Sequence, residues 1–111
     1  MENEKKLAES KLFTPYKLGS TTLRNRVIRS AAFESMGKDF APTQALKDYH
    51  VSVAKGGVGM TTVAYASINR SGISFNKQLW LRDEIVPALR DLTDAVHNEG
   101  AAVGIQLGHC G

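Results

Sequence analysis

Cysteine, proline and long apolar runs are scarce in this sequence of 111 residues. Its single cysteine, Cys110, cannot form an internal disulfide, which is typical of proteins kept in a reducing cytosol. No run approaches the roughly 18 apolar residues that a membrane-spanning helix needs. The first ten residues, MENEKKLAES, are charged and lack the apolar centre of a secretory signal. We therefore expect a cytoplasmic protein with no membrane partner.

Concentrated positive charge is also absent. The 14 lysines and arginines are scattered among 11 aspartates and glutamates, so the net charge of +3 is not concentrated in any one segment. A nucleic-acid-binding protein normally gathers its basic residues on one face or stripe. We therefore expect no nucleic-acid partner. The remaining composition, 42% hydrophobic and 23% charged, is that of one ordinary globular domain.

Phosphate-binding glycine motifs are missing as well. Neither G-x-G-x-x-G nor G-x-x-x-x-G-K-[ST] occurs. The glycine-rich run GGVGM, residues 56–60, lies before a predicted strand, whereas phosphate-binding turns follow the strand. We interpret this run as a helix end and a turn. A small open α/β module that binds a nucleotide or phosphate is therefore the less favoured alternative.

The sequence does contain alternating strand and helix patterns. Residues 12–30 predict a β-hairpin with its turn at Gly19-Ser20, followed by the short apolar strand VIRSAA. Thr43 is the predicted N-cap of a first helix, which a Gly-Gly pair ends because glycine tolerates the left-handed conformation. The uncharged run VGMTTVAYA then predicts a strand buried on both faces. A long polar loop, SINRSGISFNKQ, is predicted after it.

A second helix is predicted from about Asp83 to Asn98. Asp83 and Glu84 in its first turn favour the helix dipole, and Pro87 lies early enough to be tolerated. Gly100 closes this helix, and the apolar run AAVGIQL predicts another buried strand. The order is hairpin, β, α, β, α, β. It is typical of a parallel sheet with helical crossovers, and it therefore indicates an α/β fold.

Two α/β architectures fit this order of elements. One is an open doubly wound sheet, and the other is part of a (β/α)₈ barrel. In the barrel, functional residues lie at the C-terminal ends of the strands. Such a barrel typically takes about 250 residues. This chain would supply roughly three strands and two helices of it.

Three stretches distinguish between these architectures. They are LRNRVIRSAAFESMG from Leu23, KGGVGMTTVAYASINRSG from Lys55 and LTDAVHNEGAAVGIQLGHCG from Leu92. In that order they resemble the opening of the old yellow enzyme family, which comprises flavin-dependent NAD(P)H oxidoreductases and ene-reductases. The last stretch is the most specific, because the family's third strand typically closes on Gln-Leu-x-His-x-Gly-Arg. The resemblance covers about residues 12–111.

The resemblance implies that residues 12–111 are the N-terminal portion of an FMN-binding (β/α)₈ TIM barrel. The charged composition before it predicts a flexible tail over residues 1–11, or a short fraying helix. FMN would lie across the top of this barrel. Carried over residue by residue, the resemblance implies a cofactor site formed by Ser30, Ala31, Ala32 and Phe33 beneath the flavin ring, Ala64 and Tyr65 at the end of the second strand, and Gln106 at the pyrimidine edge. It implies no metal ligand and no catalytic side chain within this chain.

Some of these residues have a plain structural alternative. Gln106 offers donors and an acceptor to a flavin edge, but a glutamine here could also cap a strand without any ligand. Tyr65 could serve only in core packing. We interpret His109 as structural, and Asn25 and Arg26 as residues that fix the hairpin to the barrel wall.

The family's reaction implies the function. Hydride passes from NAD(P)H to FMN and then to an electron-poor acceptor, a small molecule such as an activated alkene. The family's substrate-binding histidine pair, its proton-donating tyrosine and its phosphate-binding arginine come later and have no counterpart here. We therefore expect a fragment whose partner is the remaining part of the barrel. The alternative is a non-catalytic remnant that holds no FMN and forms homo-oligomers through its open sheet edges.

Overall fold

The computed structural model describes residues 3, 4, 6 and 9–111. The predicted tail over residues 1–11 therefore lies partly outside the described residues, and its flexibility stays a prediction. A 3₁₀ turn at Lys11–Phe13 begins where the Ser10 hydroxyl oxygen accepts a hydrogen bond from the Leu12 N–H at 3.3 Å.

The predicted hairpin is confirmed. Strand β1, Tyr16–Leu18, pairs antiparallel with strand β2, Thr21–Leu23. Gly19 has a φ of 60° at the turn, in the left-handed region that glycine adopts without a steric penalty.

Four further strands form one parallel sheet, and they are β3 (Ile28–Arg29), β4 (Met60–Ser67), β5 (Leu79–Trp80) and β6 (Ala102–Gly108). Strand β4 pairs with β6 along most of its length, with β3 near its start and with β5 at its end. The predicted parallel sheet is therefore confirmed. The sequence pattern does not predict β5, because a strand of two residues is too short to show a period.

The first helix, α1, spans Gln44–Lys55 and begins as predicted. The Thr43 hydroxyl oxygen accepts a hydrogen bond from the Leu46 N–H at 3.2 Å, so Thr43 is the N-cap. Gly56 follows the last helical residue, and Gly57 then turns the chain with a φ of 107°.

The second helix begins later than predicted. A 3₁₀ turn occupies Asp83–Ile85, and helix α2 spans Val86–Asn98. Pro87 explains the difference, because it has no N–H to donate to the carbonyl of Asp83 four residues earlier. That carbonyl accepts from the Val86 N–H instead, which is the 3₁₀ pattern. Among the described residues, no helix is long and apolar enough to cross a membrane.

The core lies between the sheet and the two helices. Its buried apolar residues are Leu46, Ala54, Val63, Ala66, Leu79, Leu92, Val96 and Ala101. On the face of the sheet away from this core, the side chain of Ile28 is 48% exposed. That face corresponds to the interior of a closed barrel, because the helices of a barrel lie outside its strands.

The Arg24 guanidinium joins the hairpin to both helices. It donates to the carbonyl oxygen of Ala54 at 2.7 Å and to that of Glu99 at 2.8 Å, at the C-terminal ends of α1 and α2. A third hydrogen bond, of 3.1 Å, reaches the carbonyl oxygen of Val58. Helix C-termini carry partial negative charge, so a cation is favoured at this position.

Asn25 and Arg26 also hold the hairpin region in place. The Asn25 side-chain amide donates to the carbonyl oxygen of Gly57 at 2.6 Å, and its Oδ1 accepts from the Val27 N–H at 3.1 Å. The Arg26 guanidinium lies 5.1 Å from the centre of the Tyr16 ring. These contacts agree with the structural role that the sequence predicts for both residues.

Gly59 is expected not to tolerate a side chain. A Cβ atom there would clash with the carbonyl oxygen of Asn25 and lie 2.9 Å from its Oδ1. The Gly59 backbone also donates to the Val27 carbonyl at 2.8 Å and accepts from the Ala102 N–H at 2.9 Å, so it cannot shift freely. We expect Gly59→Ala to lower the free energy of unfolding by about 1–3 kcal/mol, measured by urea denaturation.

Gly108→Ala is the matched control for this substitution. A Cβ atom at Gly108 would meet no atom within 4 Å. Similar losses in the free energy of unfolding for the two variants would contradict the steric explanation, because, of these two glycines, Gly59 alone lies against another backbone segment.

Candidate functional site

The strands β3, β4 and β6 are parallel, so their C-terminal ends point toward one edge of the sheet. Strand register aligns Ile28 with Met60 and Met60 with Ala102, so the three strands run side by side from the same level. The segment that begins at Ser30 directly follows β3, while Gln106 lies near the end of β6. The predicted site residues therefore reach the same edge from three strands.

Three aromatic rings meet at this edge. The centres of the Phe33 and Tyr65 rings are 4.9 Å apart, and the Phe75 ring stacks against Phe33 at 5.5 Å. The Tyr65 hydroxyl lies 2.9 Å from the Ser74 hydroxyl oxygen. Tyr65 is thus half-buried at the rim of the sheet rather than inside the core between sheet and helices. Phe75 lies in the predicted polar loop. An aromatic residue within an otherwise polar run is the sequence feature that could have indicated its place at this edge.

An open cavity of about 390 Å³ lies beside the Tyr65 ring. It is lined by Tyr65 from β4 and by the end of β6 and the residues after it, namely Gln106, Leu107, Gly108, His109 and Cys110. The cavity therefore joins two of the three predicted segments, and the Phe33 ring adds the third through its contact with Tyr65.

Gln106 faces away from the helices. Val103 and Ile105 contact the helix-side core, and side chains alternate along a strand, so Gln106 lies on the opposite face with Ala102 and Gly104. Its carboxamide is exposed and lines the cavity. A carboxamide carries two donor hydrogens and an acceptor oxygen, so it is equipped to bind a group with both kinds of partner.

The segment after β3 contributes mainly small side chains and backbone. Ser30 and Ala32 are exposed and Ala31 is half-buried. The carbonyl oxygen of Ala32 accepts a hydrogen bond of 2.9 Å from the Arg29 guanidinium. This segment is therefore fixed through its backbone, and its small side chains leave room for a flat ligand above it.

The backbone of Ala64 is held by a buried carboxylate. The Ala64 N–H donates to the two carboxylate oxygens of Glu34 at 3.1 and 3.3 Å, and the Glu34 side chain is 1% exposed. The peptide bond between Ala64 and Tyr65 is cis. The regular pairing of β4 with β6 is interrupted between Val63 and Ala66, so Ala64 and Tyr65 lie at an irregularity of the sheet.

Arg29 balances the charge of Glu34. Its guanidinium donates to the Glu34 carboxylate at 2.5 Å and to the carbonyl oxygen of Thr62 at 2.6 Å. It also lies 5.0 Å from the centre of the Tyr49 ring, which shields it on the side of α1. The same side chain therefore contacts the segment after β3, strand β4 and the buried acid.

His50 completes this buried cluster. It is fully buried on α1, where its Nδ1 lies 2.7 Å from the Thr61 hydroxyl oxygen and its Nε2 lies 3.4 Å from a Glu34 oxygen. The longer contact lacks hydrogen-bond geometry. Burial raises the pKa of Glu34, but the contacts with His50, Ala64 and Arg29 outweigh burial and hold that pKa below its ordinary value.

His109 lines the cavity, and both of its ring nitrogens contact neighbouring residues of the chain. Its Nε2 lies 3.1 Å from the Ser71 hydroxyl oxygen, and its Nδ1 accepts from the Gly111 N–H at 3.1 Å. The neighbouring Cys110 is exposed, and its N–H donates to the Gly72 carbonyl oxygen. These contacts agree with the structural role that the sequence predicts for His109.

The sequence matches the model of a known protein family. The NADH:flavin oxidoreductase / NADH oxidase family matches residues 11–111. The chain is 43% identical over 100 residues to the 4,4'-dithiodibutanoate disulfide reductase of Rhodococcus erythropolis. It is 40% identical over 106 residues to the NADPH dehydrogenase of Listeria welshimeri serovar 6b. These alignments cover 90% and 92% of this chain but only 25% and 31% of the relatives, so the chain spans about a quarter to a third of their length.

Solved structures agree with the fold. The old yellow enzyme from Pichia sp. AKU4542 matches with a TM-score of 0.85 and 22% identity, over 93% of this chain and 27% of that enzyme. Morphinone reductase in complex with tetrahydroNAD matches with a TM-score of 0.81 and 26% identity, over 92% of this chain and 28% of that enzyme. The predicted fold, the N-terminal part of a TIM barrel, is therefore confirmed.

Proposed function

The chain belongs to the NADH:flavin oxidoreductase / NADH oxidase family, and from that premise we propose that it forms part of an FMN-dependent oxidoreductase. In the proposed reaction, FMN takes hydride from NAD(P)H and passes it to an electron-poor small molecule such as an activated alkene. One observation carries the proposal. Tyr65 and Gln106, from two neighbouring strands, line one cavity at the C-terminal edge of the sheet, and the Phe33 ring, from the segment after a third strand, packs against Tyr65.

The residues at this edge fit a flavin. The small side chains of Ser30, Ala31 and Ala32 allow a flat ring system to approach the backbone closely. The exposed carboxamide of Gln106 offers the donors and the acceptor that the pyrimidine edge of a flavin requires. FMN, when bound, supplies the hydride chemistry, while these residues bind and orient it.

The nicotinamide donor and the acceptor are proposed by class only. One relative is an NADPH dehydrogenase, and one structural neighbour was solved with tetrahydroNAD, so we propose a nicotinamide dinucleotide as the donor. Another relative is a disulfide reductase, so the class of acceptors proposed here extends to disulfides. We also propose a cytoplasmic location, which the lone exposed cysteine supports.

A second candidate concerns the chain on its own. It contains β3, β4 and β6 of a barrel that has eight strands, so it contributes one wall of the proposed FMN site. We infer that the isolated chain binds FMN too weakly to retain it, and that the remaining part of the barrel is its natural partner. Retention of stoichiometric FMN by the isolated chain, followed by fluorescence quenching, would contradict this inference.

A chimera tests the proposed function directly. Residues 11–111 replace the matching segment of the Listeria welshimeri NADPH dehydrogenase, to which the chain is 40% identical. We expect the chimera to be yellow, to hold FMN stoichiometrically and to oxidise NADPH. A chimera that is folded by circular dichroism but colourless would overturn the proposal.

Gln106→Leu is expected to weaken FMN binding in this chimera. The substitution removes the carboxamide and leaves polar flavin atoms without partners at a loss of about 1.4 kcal/mol, so the dissociation constant should rise roughly tenfold. The control is Cys110→Ser, which alters the same cavity lining at a residue with no proposed flavin contact. If both variants bind FMN as tightly as the chimera itself, Gln106 has no role in binding the cofactor.

A further inference from the structure

The two backbone segments at the proposed flavin site share one anchor. Arg29 donates to the carbonyl oxygen of Ala32, in the segment after β3, and Glu34 accepts from the N–H of Ala64, on β4. Arg29 and Glu34 are themselves joined by a contact of 2.5 Å. The ion pair therefore links the two segments through three consecutive polar contacts.

Ordinary strand pairing does not fix these segments. Strand β3 ends at Arg29, so Ala32 lies beyond the sheet, and the pairing of β4 with β6 is interrupted between Val63 and Ala66. A side chain that bonds Ala32 or Ala64 therefore supplies an anchor that the strand ladder does not. Hydrogen bonds to charged groups are stronger than those between neutral groups, which suits them to this role.

The burial of this charge also calls for a reason beyond packing. The side chain of Glu34 is 1% exposed and that of Arg29 is 16% exposed. Burying an ion pair removes both groups from water, and an apolar pair of similar volume is often at least as stabilising. An apolar pair, however, cannot bond the backbone of Ala32 and Ala64. The charged pair therefore fixes the positions of these two segments, which an apolar pair would not do.

We propose that the Arg29–Glu34 pair is a positioning unit, which sets the backbone of Ala64 against that of Ala32 and so places the Phe33 ring against the Tyr65 ring, which lines the cavity. The inference rests on the proposed function, because that function gives these segments their role beneath a flavin. Neither Arg29 nor Glu34 touches the cavity itself. Both act through the backbone that they hold.

The test is nuclear magnetic resonance on the chain without flavin, comparing the wild type with Glu34→Gln. Glutamine keeps the shape of the side chain but lacks its charge. We expect the Ala64 amide proton to move upfield and its protection from hydrogen exchange to fall roughly ten- to a hundredfold, as a charge-assisted hydrogen bond becomes a neutral one. We also expect the nuclear Overhauser contacts between the Phe33 and Tyr65 rings to weaken.

Glu84→Gln is the matched control, because the Glu84 carboxylate is 76% exposed and lies 3.8 Å from Arg82 on the surface. We expect it to leave the Ala64 resonance and the ring contacts unchanged. If Glu34→Gln folds and keeps both the Ala64 protection and the ring contacts of the wild type, the positioning role is refuted.

The wild-type chain provides a second readout that needs no variant. The charged and titratable groups facing Glu34 are Arg29 from β3 and His50 from α1, with the Ala64 N–H donating from β4. The Ala64 amide shift should therefore follow the protonation of Glu34 as the pH falls below 4.5. A flat Ala64 profile there would overturn the proposal even if Glu34→Gln did not fold. Failure of the chimera to bind FMN would overturn the proposed function and leave these resonances unaffected, so the two failures are distinguishable.

Discussion

Arg29→Ala is expected to lower the free energy of unfolding by about 3–5 kcal/mol at neutral pH, because it leaves the buried Glu34 carboxylate without its cation. The variant also loses the hydrogen bonds to the carbonyl oxygens of Ala32 and Thr62. A loss of this size is a large fraction of the stability of a small domain, which is about 5–15 kcal/mol. Urea denaturation followed by circular dichroism measures it.

The effect of Arg29→Ala should depend on pH with a definite sign. The pKa of Glu34 lies below its ordinary value in the folded state, so its ion pair stabilises the protein above the unfolded-state pKa. That stabilisation disappears as the pH falls through the folded-state pKa. The difference between wild type and variant should therefore be largest near pH 7 and shrink below about pH 4. A difference that stays constant over this range would contradict the ion-pair explanation.

Arg26→Ala is the control that distinguishes the effect of losing the ion pair from the effect of losing an arginine side chain in general. Arg26 is exposed, with its guanidinium over the Tyr16 ring and a weak contact of 3.5 Å to the Pro15 carbonyl oxygen. We expect a change within about 0.5 kcal/mol and no pH dependence below pH 5. Equal losses for Arg26→Ala and Arg29→Ala would show that burial beside Glu34 is not the cause.

The elements that the sequence predicts correctly carry local signals. Thr43 caps a helix through a bond to a residue three positions away, and the glycines at positions 57 and 100 end the helices with positive φ. Such signals operate within one turn of chain and can be recognised in the sequence. The sequence pattern indicates only that Pro87 is tolerated, whereas its missing N–H shifts the start of α2 by a turn.

One part of the site can be predicted from the resemblance to a known family, and the other part cannot be predicted from the sequence. Phe33, Tyr65 and Gln106 follow from matched motifs, and the structure brings them to one edge; their contact with FMN stays a prediction. Periodicity alone would have left Gln106 as a polar residue at a strand end. The family motifs were therefore essential for assigning it a ligand.

The buried acid could not be recognised in the sequence. Glu34 stands in an irregular segment where a carboxylate usually faces water, and its partners lie five and thirty residues away along the chain. Three residues, Ala32, Thr62 and Ala64, contact this ion pair through backbone atoms, which every residue has. The hydrogen bonds of Arg24 could not be predicted for the same reason, because its three partners are backbone carbonyl oxygens.

Leu92→Ala is expected to lower the free energy of unfolding by about 2–5 kcal/mol. Leu92 is 1% exposed on α2, and it borders an existing cavity of about 150 Å³ between that helix and the sheet. Removing its branched end would enlarge this cavity rather than allow neighbours to close in. The same cavity is lined by Val103 and Ile105, which alternate along β6 with the residues of the opposite face, where the FMN site is proposed.

Leu107→Ala makes the same chemical change at an exposed position and serves as the control. Leu107 is 51% exposed beside the proposed site, so its truncation opens no internal space, and we expect a change within about 0.5 kcal/mol. Equal urea midpoints for the two variants would mean that α2 does not stabilise the sheet. If only Leu92→Ala is destabilised, and the chimera carrying it also binds FMN less tightly, then the packing of α2 behind β6 supports the position of Gln106 on the other face.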